Sequence, residues 1–241
     1  MALVQTKLLV LNTIKYGDSS LIAKCYTESD GLRSYMLKGI LTRKKGKIKK
    51  AHFQPLMQLE VIASHTDKES LDFIREVKIA YAYKTLFSDM YKNTLVYFIA
   101  EFLTNALKEE TVNKNLYDYL AINLQLLDNL KDYGNFHLIF ILNLTKYLGF
   151  YPDSSTINAS YFNLENGCFE DVITTNNSLT GNELQLFKTL LGITFDSTIN
   201  VRFTLKEKQQ LIMILIRYFS VHLTTFKKLK SIAILHEVLH T

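Results

Sequence analysis

Two stretches of this 241-residue chain combine residue type and spacing in a way that suits chemistry. The first is Arg43 to Lys50, RKKGKIKK, six cations in eight residues with no anion among them. Such a run neutralises phosphates and releases their condensed counterions, so it suits a polyanion: nucleic acid, an anionic membrane surface or an acidic partner. Lysine outnumbers arginine, which favours attraction to the phosphate backbone over bidentate reading of base edges. The second stretch is His236-Glu237-Val238-Leu239-His240, an H-E-x-x-H pattern. On a helix it sets two imidazoles one turn apart beside a glutamate, the arrangement of two zinc ligands and a general base in a metallopeptidase. Zinc needs a further protein ligand, and only Thr241 follows, on a terminus that frays. A chance match on an amphipathic terminal helix is the expectation, with the peptidase kept as an alternative, and with an adaptor that binds RNA or an anionic surface through the basic run as another.

Other constellations are missing. The chain has no G-x-x-x-x-G-K-[ST], no G-x-G-x-x-G, no G-x-S-x-G and no C-x-x-C, which removes the usual phosphate cradle, dinucleotide turn, nucleophile elbow and dithiol. The carboxylates are scattered. The expectation is a protein with no catalytic residue, no cofactor and no metal.

The elements that must position the basic run come next. Leu3–Ile14, Ser20–Thr27, Leu32–Ile40, Phe53–Ala63 and Leu71–Tyr81 are rich in Val, Ile, Leu, Tyr and Phe, with turn-like segments between them. Gly31 after Asp30 suits a tight hairpin, since glycine accepts the positive φ that such turns need. Five short strands in about 80 residues, with no helical period between them, predict a five-stranded oligonucleotide-binding (OB) barrel. The basic run joins its third and fourth strands. Arg33, Tyr35 and Lys38 lead into the run and join Arg43, Lys44, Lys45, Lys47, Lys49 and Lys50 as candidate DNA-binding residues. Tyr35 and Phe53 flank the run, either as stacking faces for bases or as barrel core. The position is unusual, because OB barrels bind through the loops between strands 1 and 2 and between 4 and 5.

Charge follows the same division. Residues 1–80 carry 14 basic and 8 acidic groups, a net +6, and residues 81–241 carry 14 and 15, a net −1. From Tyr83 the apolar period becomes helical: Leu95, Ile99, Phe102, Leu103 and Ala106, then Leu116, Leu120, Leu124 and Leu127. Leu138, Ile141, Leu142, Leu144 and Leu148 mark a third helix, stopping at Gly149 with Pro152 beyond. Residues 160–175 read as a hairpin turning at Glu165-Asn166-Gly167, followed by helices near Thr180–Leu191, Leu205–Phe226 and Ser231–Leu239. The helix from Leu205 is apolar on nearly every side between Leu211 and Ile216 and is expected to run through the centre of its domain. The fold class is therefore α+β: an OB-fold domain over residues 1–81 and an all-α domain over 82–241 with a small hairpin insertion. Cys25 and Cys168 give no disulfide framework, and neither a signal peptide nor an 18-residue apolar run is present, so a soluble cytoplasmic protein is expected.

The order of short segments resembles the RecO family of bacterial DNA repair proteins. Gly17-Asp18-Ser19-Ser20 resembles its G-[ED]-x-S, Thr27 with Gly31 its T-x-x-x-G turn, and Leu37-Lys38-Gly39 its A-K-G-A-like segment leading into basic residues. Gln54-Pro55-Leu56 resembles its Q-P-[FL], Leu148-Gly149-Phe150-Tyr151-Pro152 its L-G-[YF]-x-P, and Leu229-Lys230-Ser231 its near-terminal L-K-S-[RL]. The resemblance implies a non-enzymatic recombination mediator, cytoplasmic and nucleoid-associated during repair. It would bind single- and double-stranded DNA and anneal complementary strands. Its implied partners are RecR and the acidic C-terminal tail of single-stranded DNA-binding protein, and through them RecA, with no membrane contact. Lys227, Lys228 and Lys230 are candidates for the tail. Some members of the family bind zinc through four cysteines after L-G-[YF]-x-P. Asp153–Ala159 has no cysteine here and only Cys168 is near, so no structural zinc is expected and the hairpin should hold by packing alone.

Overall fold

The computed structural model describes residues 2–42, 47–66, 71–108, 112–195 and 201–239. Packing divides the chain into two compact units, residues 1–129 and 130–241.

The first unit is built on an antiparallel sheet of five strands: β1 (Ala2–Tyr16), β2 (Ser20–Thr27), β3 (Gly31–Leu37), β4 (Gln58–His65) and β5 (Phe73–Ile79). Their order is β3-β2-β1-β4-β5. The long β1 serves two partners, pairing β4 through Ala2–Leu9 and β2 through Leu8–Tyr16. Its register shifts between Val10 and Asn12, and a bulge there bends the strand and curls the sheet. The two edges meet at one parallel bridge between Tyr35 and Asp72. Met36 N–H donates to the Asp72 carbonyl at 2.8 Å, and Asp72 N–H to the Ser34 carbonyl at 2.9 Å. A single bridge is not a ladder, so the sheet is OB-like but not closed into a full barrel. Alternate residues point inward, as a period of two requires: Leu8 and Val10 from β1, Leu21, Ala23 and Cys25 from β2, Leu59, Val61 and Ala63 from β4. Gly31 turns with φ +63° between β2 and β3.

The strand expected from Phe53 starts later, at Gln58. Lys50–Phe53 is instead a short 3-10 turn, and Pro55 has no N–H to give a ladder. Leu56 takes φ +61° just after it. Its N–H donates to the Val10 carbonyl at 2.7 Å and Val10 N–H to the Met57 carbonyl at 3.1 Å, so this turn covers the bulge of β1.

Two helices belong to the same unit, α1 (Met90–Ala106) and α2 (Lys114–Asn129). Asp128 anchors α2 to the chain leaving the sheet. It is 1% exposed and accepts the backbone N–H of Lys84, Thr85 and Leu86 at 2.8–3.1 Å. Those donors hold its carboxyl below the usual carboxylate range against the opposing effect of burial, the largest single influence.

The second unit holds α3 (Phe136–Leu148), the short strands β6 (Tyr161–Asn163), β7 (Cys168–Glu170) and β8 (Ser178–Leu179), then α4 (Gly181–Leu191), α5 (Leu205–His222) and α6 (Ser231–Leu239). The helix buried all round is α3, where every residue from Phe136 to Leu142 is buried. The expectation for α5 was too broad: it ends at His222, and Met213, within its apolar stretch, is 51% exposed. Gly149 ends α3 with φ +84°, its N–H donating to the Thr145 carbonyl.

The hairpin does not hold by packing alone. Asn163, fully buried, accepts the N–H of Glu165 at 2.9 Å and of Asn166 at 3.1 Å on its Oδ1. Its Nδ2 donates to Glu170 at 3.2 Å and to Thr174 Oγ1 at 2.8 Å. Thr174 and the Asn166 amide also donate to Glu170, and these donors hold its carboxyl below the usual range.

Candidate nucleic-acid interface

The chain after β3 sets the candidate site. Gly39 N–H donates to Ser20 Oγ at 3.1 Å and Leu41 N–H to the Ser19 carbonyl at 2.9 Å. These bonds tie the root of the basic loop to the β1–β2 turn, one of the two loops through which OB folds bind. The loop's place between strands 3 and 4 therefore brings its root to that binding end.

Lys38, Lys47, Lys49 and Lys50 are all exposed, and none forms an ion pair with a described residue. Arg43, Lys44 and Lys45 lie outside the described residues. Ile48, between two exposed lysines, packs against the sheet core and anchors the loop's far side. Lys49 N–H donates to His52 Nδ1 at 3.3 Å. Burial, and secondarily the Lys49 charge, push the His52 imidazole below its ordinary value, which favours the neutral ring as acceptor.

Arg33 and Tyr35 are placed differently. Arg33 lies 3.5 Å from Asp30 and 3.7 Å from Asp72, and donates to the Thr66 carbonyl at 3.2 Å, so its charge is engaged within the protein. Tyr35 is fully buried, and its hydroxyl meets His65 Nε2 at 2.8 Å. Burial pushes its phenol well above the ordinary range. Of the two readings of Tyr35 and Phe53, both rings take the core one, at 0% and 3% exposure.

Among the described residues, one aromatic side chain that does reach the basic edge is Phe73, at the start of β5. It is half-buried, and Lys38 Nζ lies 5.0 Å from its ring centroid, a cation–π arrangement. Nothing in the linear pattern around Phe73 marks it, because its neighbour Lys38 lies far off in sequence, just beyond β3.

In the second unit, Lys227, Lys228 and Lys230 lie exposed on the connection from α5 to α6, with Leu229 buried between them. Of the H-E-x-x-H pattern, His236 and Glu237 fall on α6, whereas His240 lies outside the described residues. Among the described residues no three His, Cys, Asp or Glu side chains gather to hold a metal. At the hairpin, Cys168 Sγ sits 3.6 Å from Glu170 Oε1. Burial, with the Glu170 carboxylate, pushes its thiol up. One cysteine beside a carboxylate already taken up by donors does not supply the four ligands of a tetrahedral zinc. No described helix is long and apolar enough to cross a membrane.

Comparison with known proteins agrees with this geometry. Residues 1–83 match the family model "Recombination protein O N terminal" and residues 87–231 match "Recombination protein O C terminal". The DNA repair protein RecO of Christiangramia forsetii is 38% identical over 236 residues, covering 98% of this chain and 99% of that protein. The RecO proteins of Flavobacterium johnsoniae and Flavobacterium psychrophilum are 41% and 43% identical over 235 residues, with 98% of each chain covered. With an OB-like sheet, a lysine-lined edge beside its β1–β2 turn, and both halves of the family represented along its length, the chain belongs to the RecO family and serves DNA repair and recombination.

Proposed function

We propose that this chain is a non-enzymatic mediator that binds single- and double-stranded DNA along the lysine edge of its sheet and anneals complementary strands. The observation that carries this reading is the group Lys38, Lys47, Lys49 and Lys50: exposed, without an ion-pair partner among the described residues, and rooted at the β1–β2 turn. Arg43, Lys44 and Lys45 continue the same run. A surface of this kind lowers the repulsion between two phosphate backbones brought together, which is all that annealing requires of it. Residues 1–81 meet the DNA and residues 82–241 the protein partners, among them RecR and the acidic tail of single-stranded DNA-binding protein. Lys227, Lys228 and Lys230 are offered to that tail, and RecA is served indirectly, in the cytoplasm at the nucleoid.

The test is a strand-annealing assay with and without single-stranded DNA-binding protein, on the wild type and on a variant with Arg43, Lys44, Lys45, Lys47, Lys49 and Lys50 made glutamine. The wild type anneals complementary strands whatever their sequence and binds unrelated oligonucleotides with an affinity that falls steeply with salt. The variant anneals poorly and its salt dependence is flatter. Unchanged affinity and slope in the variant refute the assignment.

A further inference from the structure

The seam where the sheet's two edges meet holds a depression of about 150 Å³, lined by Met36, Lys38, Ile40, Ile48, Phe73 and Ile74. Pockets for whole cofactors run to roughly 300–1,000 Å³. This one has room for a single planar ring. Its walls mix polar surface with the apolar side chains of Met36, Ile40, Ile48 and Ile74 and a half-buried aromatic; Lys38 lies over that ring, and the exposed Lys47 and Lys49 flank Ile48 in the chain. A flat aromatic ring with polar edges, attached to an anion, is what such a place complements, and a nucleotide of a polynucleotide is that object.

We propose that this depression takes one unpaired nucleobase of single-stranded DNA, stacked on Phe73, with the flanking phosphates held by Lys38 and Lys49. The inference rests on the DNA-binding reading above and adds a preference for single strands to it. Lys38 now covers the Phe73 ring, its ammonium 5.0 Å from the centroid. An entering base takes that place on the ring, and the four-carbon stem lets the ammonium turn to the adjoining phosphate. A duplex cannot use the niche without unstacking a base, so it engages only the lysines. Every base has a π face, so the niche is indifferent to sequence.

Three ligands separate the outcomes: an oligo(dT) strand, the same backbone with abasic sites, and a duplex of equal length. Each is titrated against the wild type, Phe73→Leu and a Lys38, Lys47, Lys49, Lys50→Gln variant. Phe73→Leu keeps an apolar wall and removes the aromatic face. It should weaken oligo(dT) binding by about five- to 150-fold, the range for one lost base stack. Abasic and duplex binding stay at wild-type strength, and the salt slope does not change. Equal weakening on all three ligands, or none on oligo(dT), overturns the niche. The lysine variant reports separately on the DNA-binding reading, which fails if that protein still binds all three at wild-type strength.

Discussion

The lysine edge of the sheet and the hub of the hairpin use polar side chains in opposite ways. At the edge, Lys38, Lys47, Lys49 and Lys50 stand in water with no carboxylate among the described residues to pair with. At the hub, Asn163 and Glu170 take donors from Glu165, Asn166 and Thr174 until little capacity is left. Exposed ammonium groups remain hydrated and cost the fold little, so their charge stays available to a ligand. A buried amide left unsatisfied would cost about 1–3 kcal/mol, so the hub is closed on itself and serves the fold. The lesson is that function and structure can be told apart by whether polar groups are satisfied inside the protein. Arg33 illustrates it: a cation in the basic third of the chain, yet engaged with Asp30 and Asp72.

The contrast can be broken most strongly at the edge. Replacing Lys38, Lys47, Lys49 and Lys50 with glutamine should lower the slope of log affinity against log salt by about 3 on single or double strands, near 0.7–0.9 for each phosphate no longer neutralised. Thermal denaturation should be unchanged, because none of the four is tied into the core. A large fall in the melting midpoint would show that the edge is structural. At the hub the signs reverse: Asn163→Ala should cost about 2–3 kcal/mol in chemical denaturation, since it strands two backbone N–H groups and removes one of the donors to Glu170. Its DNA affinity should match the wild type at equal folded fraction, and a matching loss of affinity would erase the distinction.

A smaller effect comes from pH. His137 in α3 is fully desolvated, and that burial, with Lys208 second, pushes its imidazole down to about 3. The unfolded chain, near the ordinary 6.5, therefore takes up the proton first. Stability is full above about pH 6.5 and falls as pH drops toward 3, by about 1 kcal/mol at pH 5.5. Denaturation of the wild type and His137→Phe at pH 7.5 and 5.5 measures it. The substitution should remove that share of the drift, and an undiminished drift would place the acid sensitivity elsewhere.

Much of the fold was legible beforehand because it is written in local periods. Runs rich in Val, Ile, Leu, Tyr and Phe between turn-like segments marked β1 to β5, and spacing of three and four marked α1 to α3. Pro152 beyond Gly149 located the end of α3. Boundaries slipped where one residue contradicts its neighbours, as at Pro55 and Leu56, which delay β4 to Gln58. The candidate site was legible as charge only. Lys47, Lys49 and Lys50 could be found in a line of text, but the two aromatic rings that flank the run in sequence, Tyr35 and Phe53, face the core.

Composition and order alone determined that a basic, strand-rich segment precedes a near-neutral helical one, and that its cations concentrate between the third and fourth strands. Those properties are local sums along the chain. Tertiary structure decided which aromatic meets the cations and where the loop is rooted. It also decided that the hairpin closes on Asn163. Tyr35 turns inward and Phe73 comes to the seam because the bulge in β1 curls the sheet until β3 reaches the start of β5. Residues 35 positions apart become neighbours only through that curvature, and no period of two or 3.6 carries information across such a separation.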